Sequence, residues 1–219
     1  MKIPTYEYCK NLFVKHNVPL NIRKHCEAVT RTGIMLATHL IWSGVNVDLR
    51  LVLAGCALHD AFKAASFEVL KPQEDGFIPT KEQINYWSNM YKKFGGQHEI
   101  PIAATMLRED GFDDFSKFVS KIGWTRNDCY YNEGIEIKIA HYADWRNKGD
   151  VIVPFEQRLD ELFETYAKKD FEGRSTEFEK YKKERMKKEF ALEDELFRHL
   201  SFASGDLKVI VNRSVVFFD

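Results

Sequence analysis

The sequence predicts an all-α protein, and three observations carry that reading. Apolar residues recur at steps of three and four over most of the chain, the repeat of a helix with one buried face. The 12 glycines and 6 prolines fall mainly between those periodic stretches, where breakers belong. Helix-start signals stand at the expected places, with Asp48 before one apolar run and Thr80 three residues before Gln83 at the head of another.

Taken in order, a first short helix is expected over residues 5–16, ending before Pro19. The next runs from about Leu20 to Ser43, with Ile22, His25, Cys26, Val29, Leu36 and Leu40 along one stripe, and Gly44 stops it. Asp48 caps a third helix that carries Leu49, Val52, Leu53 and Cys56 and is expected to continue through Lys63. Residues 65–80, with Pro72, Gly76 and Pro79, read as a surface loop. A helix from the Thr80 capping box ends at Gly95-Gly96, and another spans about Glu99 to Glu109, with Pro101 tolerated in its first turn. A shorter helix covers Asp113 to Ile122, residues 125–134 read as loop, and Ile135 to Arg146 is strongly helical. Pro154 opens a helix carrying Phe155, Leu159, Leu162, Phe163 and Tyr166, read as core. A charged helix covers roughly Thr176 to Leu200. The tail from Leu207 to Phe218, rich in Val, Ile and Phe, predicts a short strand or a hairpin turning at Asn212-Arg213.

Composition narrows the function classes. Of 219 residues, 44% are hydrophobic and 30% charged, and 32 basic residues against 33 acidic give a net charge of −1. A dedicated nucleic-acid binder is usually strongly basic, so this balance argues against one, although a local patch is compatible with it. The Lys180–Lys188 cluster is interleaved with acidic residues and reads as a solvated helix with i,i+4 pairs. No apolar stretch approaches the roughly 20 residues of a membrane span. No apolar run follows the early lysines, so the expectation is a cytoplasmic protein without a signal peptide. Cys9, Cys26, Cys56 and Cys129 show no CxxC spacing and read as reduced thiols.

Chemistry concentrates in a few positions. His59-Asp60 closes the apolar run Leu-Val-Leu-Ala-Gly-Cys-Ala-Leu, where a buried imidazole and carboxylate are costly without partners. His25 lies in line with Ile22 and Val29, and Asp144 in line with Ile137, Ala140 and His141, each on an inward stripe. Three helices thus send two imidazoles and two carboxylates toward one interior, a mixed nitrogen and oxygen set suited to a divalent metal. Singly, each residue is as well explained as a hydrogen-bonded core histidine or a salt-bridged aspartate.

In order and local context, His25, His59-Asp60 and Asp144 resemble the H…HD…D signature of the HD-domain metal-dependent phosphohydrolases. The strings KHCEAVTRTGIMLATHL, LVLAGCALHDAFK and IKIAHYADWRN carry the likeness over about residues 20–150. The resemblance implies an HD-domain-like helical bundle over residues 1–170, with 171–219 a C-terminal extension packed on it. It implies hydrolysis of a phosphate ester, most often in a nucleotide. His25, His59, Asp60 and Asp144 would hold one manganese, iron, nickel, cobalt or zinc ion, which acidifies a water and polarises a phosphoryl oxygen. Many two-metal members carry a further His about where Ile122-Gly123-Trp124 stands here, so the resemblance does not extend to a second ion.

Asp60, Lys63 and His98 are then the catalytic candidates, with Lys63 offsetting phosphate charge and His98 touching the phosphate or protonating the leaving oxygen. Arg23, Lys63, Arg108 and Arg146 are candidate phosphate partners, and His141 either an outer support for a ligand or a packing residue. Two other readings stay open: an HD-type phosphodiesterase or nuclease on single-stranded nucleic acid or a cyclic nucleotide, and a non-catalytic sensing or assembly module. The substrate, the oligomeric state and the role of residues 171–219 are not fixed by the sequence.

Overall fold

The structure is a computed structural model that describes residues 1–72, 76–122 and 129–213, the side chain of Cys129 excepted. The reading of residues 125–128, the position aligned with the missing His at 123–124, and the last six residues of the tail lie outside it.

Ten α-helices are present among the described residues: α1 Tyr6–Lys15, α2 Leu20–Trp42, α3 Leu49–Leu58, α4 Lys81–Phe94, α5 Glu99–Glu109, α6 Asp113–Val119, α7 Ile135–Arg146, α8 Phe155–Leu162, α9 Ser175–Phe197 and α10 Leu207–Arg213. The all-α class holds. Local signals start them as the sequence suggests. Asp48 accepts from the backbone N–H groups of Arg50 and Leu51, and Thr80 and Gln83 form a reciprocal capping box. Gly95 closes α4 in the left-handed conformation that a side chain resists.

Helices α2, α3 and α7 pack on one another and form the centre, with α8 and α9 against α7 and α10 against α2. Helix α7 is buried nearly all round, from Ile137 to Arg146. Any polar residue on it therefore needs a partner from a neighbouring helix. Gly33 sets the spacing of α2 and α3: a Cβ there would lie 2.6 Å from Cys56 Sγ and 3.3 Å from Val52 Cγ1. Cys9, Cys26 and Cys56 are buried free thiols, as expected; Cys129 lies outside the description.

Four local expectations are corrected. Helix α3 ends at Leu58 instead of running through Lys63, and a 3-10 turn follows at Lys63–Ser66. Adjacent residues on a helix point about 100° apart, so unwinding at His59 lets Asp60 turn to the same side as the imidazole. Second, a two-strand hairpin follows α7, pairing Asn147 with Ile152 and Lys148 with Val151 around Gly149 at φ 58°. Third, α8 stops at Leu162, and its apolar stripe continues through a wide π turn at Phe163–Ala167 and a 3-10 turn at Lys168–Phe171. Fourth, residues 207–213 are helical, not a strand or hairpin: Leu207 and Val211 bury one turn apart on the same face. Ile210 is half-buried and Val209 exposed, as on a helix with one buried face.

Candidate metal centre

Three elements deliver the central cluster. His25 comes from the second turn of α2, His59 is the last residue before α3 unwinds, and Asp144 sits near the end of α7. His25 Nε2, His59 Nε2 and a carboxylate oxygen of Asp144 all lie within 4.8 Å of one another. The Nε2 atoms are 3.3 Å apart, and Asp144 Oδ1 is 3.2 Å from that of His25 and 3.4 Å from that of His59. Asp60 Oδ2 stands 3.7 and 3.8 Å from the same nitrogens and accepts from Lys63 Nζ at 2.5 Å. Asp60 thus reaches the cluster but belongs to its edge.

Backbone carbonyls fix both imidazoles. His25 Nδ1 is 2.8 Å from Gly149 O, and His59 Nδ1 is 2.8 Å from Cys56 O. A carbonyl only accepts, so each Nδ1 carries the hydrogen and each neutral ring turns a bare Nε2 lone pair toward the other. Two lone pairs and the Asp144 carboxylate, all within 3.4 Å, need positive charge between them. A divalent cation fits this donor set; a proton is the alternative.

The electrostatics of the protein groups agree. Burial alone would lower the His59 pKa, but the Asp60 and Asp144 charges raise it to about 9. Burial would raise the Asp144 carboxyl, yet when a proton supplies the positive charge, the His59 charge and hydrogen bonds from the protonated rings hold it well below the ordinary carboxylate range. Asp60 is likewise lowered: burial opposes, and Lys63 and His59 prevail. Lys63 loses charge stabilisation by burial and regains more from Asp60 and Asp144, so it stays protonated.

The cluster lines an open cavity of about 530 Å³. Lys63 and His98 also line it. His98 caps the N-terminus of α5, its Nδ1 accepting from Ile100 N at 3.4 Å while Nε2 faces Glu99 Oε1 at 3.4 Å, so it stands at the rim and not among the ligands. The three remaining arginine candidates lie elsewhere. Arg23 donates to Val18 O and Phe13 O, Arg108 lies exposed against Ala104 O and Thr105, and buried Arg146 donates to Tyr142, Glu193 and Ser204 O. Arg23 and Arg146 each stand two residues from a cluster residue, which on a helix is about 200° away. His141 does not support the cluster either: its Nε2 meets Glu189 Oε2 at 3.1 Å and its ring stacks on Tyr130.

Sequence reasoning missed several contributors. Gly149 supplies the carbonyl that orients His25, and Asn21, Arg158 and Lys169 line the cavity. The Gly149-Asp150 pair followed by Val151-Ile152 was the available, short signal for the hairpin. Comparison with protein-family models, with curated proteins and with solved structures returns no match for this chain.

Proposed function

We propose that this protein is a metal-dependent phosphohydrolase acting on a nucleotide or a related small phosphoester. The observation that carries the reading is the convergence of His25 Nε2, His59 Nε2 and Asp144 within 4.8 Å, with both rings pinned from behind by carbonyls. His25, His59 and Asp144 would hold a divalent ion, with Asp60 beside them. Such an ion, when bound, supplies Lewis acidity toward a phosphoryl oxygen and makes water more acidic.

The chain's own groups do the rest. Lys63, kept charged and directed by Asp60, offsets negative charge that builds on the phosphoryl oxygens. His98 at the rim, its Nδ1 engaged by Ile100 N–H, would offer its Nε2–H as a hydrogen-bond donor to a phosphate oxygen. The cavity, about 530 Å³, lies within the roughly 300–1,000 Å³ range of sites for small organic ligands.

The test is a screen of nucleoside mono-, di- and triphosphates with manganese, iron, nickel, cobalt and zinc, reading released phosphate or pyrophosphate. Single-stranded oligonucleotides complete the panel, because turnover of those with a steep salt dependence would move the substrate class to nucleic acid. Asp144→Ala should lose bound metal and turnover by more than the roughly 10–100-fold that loss of an outer partner costs, and Asp60→Ala by at least about that factor. Their circular dichroism should stay helical. Full activity in either variant would end the proposal.

A further inference from the structure

We propose that Arg158 and Lys169 form an anion subsite in the cavity wall, so that the preferred substrate is a phosphoester carrying a second anionic group. The inference rests on the phosphohydrolase reading and names its substrate class. Arg158 stands on α8 and Lys169 on the 3-10 turn that follows the π turn, and both line the cavity that holds His25, His59, Asp60 and Asp144.

The Arg158 side chain is only 15% exposed, and its Nε is buried without a hydrogen-bond partner. Its ion-pair contact is a long one, 3.5 Å from NH1 to Glu161 Oε2, and that carboxylate meets Lys148 at 2.7 Å. A guanidinium offers five donors in a fixed fork and matches a phosphate or carboxylate in two-point contact. Arg158 thus lines the cavity with a guanidinium whose donors the protein leaves partly unused, and a ligand anion is an acceptor for them.

Lys169 is exposed and has no ion-pair partner among the described residues. Lys63, by contrast, is committed to Asp60 at 2.5 Å. Positive charge beside the central cluster is thus compensated within the protein, while on the α8 side Arg158 shares Glu161 with Lys148 and Lys169 has no ion-pair partner among the described residues. Besides Asp60 and Asp144, two acidic residues share the lining: Glu99 faces His98 at 3.4 Å, and Asp170 has a partner of its own. A cavity of about 530 Å³ leaves ample room beyond one phosphate group.

Two measurements test this. Chelator-treated protein titrated with inorganic tripolyphosphate in a calorimeter should bind it, and Arg158→Ala should weaken binding by about tenfold or more, the loss expected for a charged hydrogen bond. Lys169→Ala should weaken it less, and Arg158→Gln serves if the alanine variant fails to fold. With manganese, Arg158→Ala should raise KM for a nucleoside triphosphate about tenfold while leaving KM and kcat for the matching monophosphate in place. Unchanged binding and kinetics, or an equal loss on both substrates, would overturn the subsite. If wild-type protein turns over neither nucleotide yet binds tripolyphosphate through Arg158, the subsite stands and the phosphohydrolase reading falls.

Discussion

Helix α7 carries two buried charge clusters three residues apart, and they are built on opposite plans. At His141, every partner is protein. Glu189 of α9 accepts from Tyr130 and from Tyr131 at 2.8 Å, meets His141 Nε2 at 3.1 Å and accepts from Arg185 Nε at 3.3 Å, and both Glu189 and His141 are fully buried. At Asp144, two imidazole lone pairs and a carboxylate face each other beside an open cavity. Similar residue types tie helices together within the protein in one place and form a candidate ligand set beside a cavity in the other. What separates them is whether the remaining charge comes from the chain or must come from outside.

The largest expected stability effect breaks the closed cluster. Glu189→Ala leaves Arg185 and His141 buried without their carboxylate and should cost about 3–5 kcal/mol, as removal of one member of a buried pair does. Asp144→Ala borders the cavity and should cost less in a urea melt of metal-free protein while abolishing turnover. Equal losses in the two variants would erase the distinction drawn between the clusters.

Ligand response sharpens the same contrast. A divalent ion at 100 times its Kd should stabilise the wild-type protein by about 2.7 kcal/mol, read as a rise in Tm. Chelation should remove that gain, and Asp144→Ala should lack it from the start. Gly33→Ala comes next, at about 1–3 kcal/mol, because the added methyl meets Cys56 Sγ and must move α3. It should also weaken metal binding, since His59 sits at the end of that helix.

The smallest effect is on pH dependence. Burial raises the Glu189 carboxyl, but the charge and hydrogen bond of His141, the Tyr130 hydroxyl and Arg185 bring it below its ordinary value. The unfolded chain then binds the proton more tightly than the folded one. The contribution is therefore present above about pH 4.5, the ordinary glutamate value, and lost as pH falls toward the depressed folded pKa. Glu189→Gln should flatten stability against pH in that window.

Much of this was legible in the sequence. The 3.6-residue repeat placed the central helices, and the inward position of His25 and Asp144 on their stripes brought them to His59. Other features lacked a local signal. No glycine or proline marks the end of α3 at Leu58. The hairpin after α7 is only two residues a side. Arg158 and Lys169 sit in charged helical sequence that is indistinguishable from a solvated face, whereas Arg23 and Arg146 drew notice by adjacency and point away. Arg185, counted with the surface lysines, is buried against Glu189.

The hairpin carbonyl that orients His25 comes from Gly149, 124 residues later in the chain. A folding intermediate containing only α2 and α3 has both imidazoles but neither Asp144 nor that carbonyl, and its His25 is free to offer either nitrogen. The coordination sphere is thus completed only when α7 and the hairpin dock. On the proposed metal reading, tight ion binding requires that this long-range closure has formed.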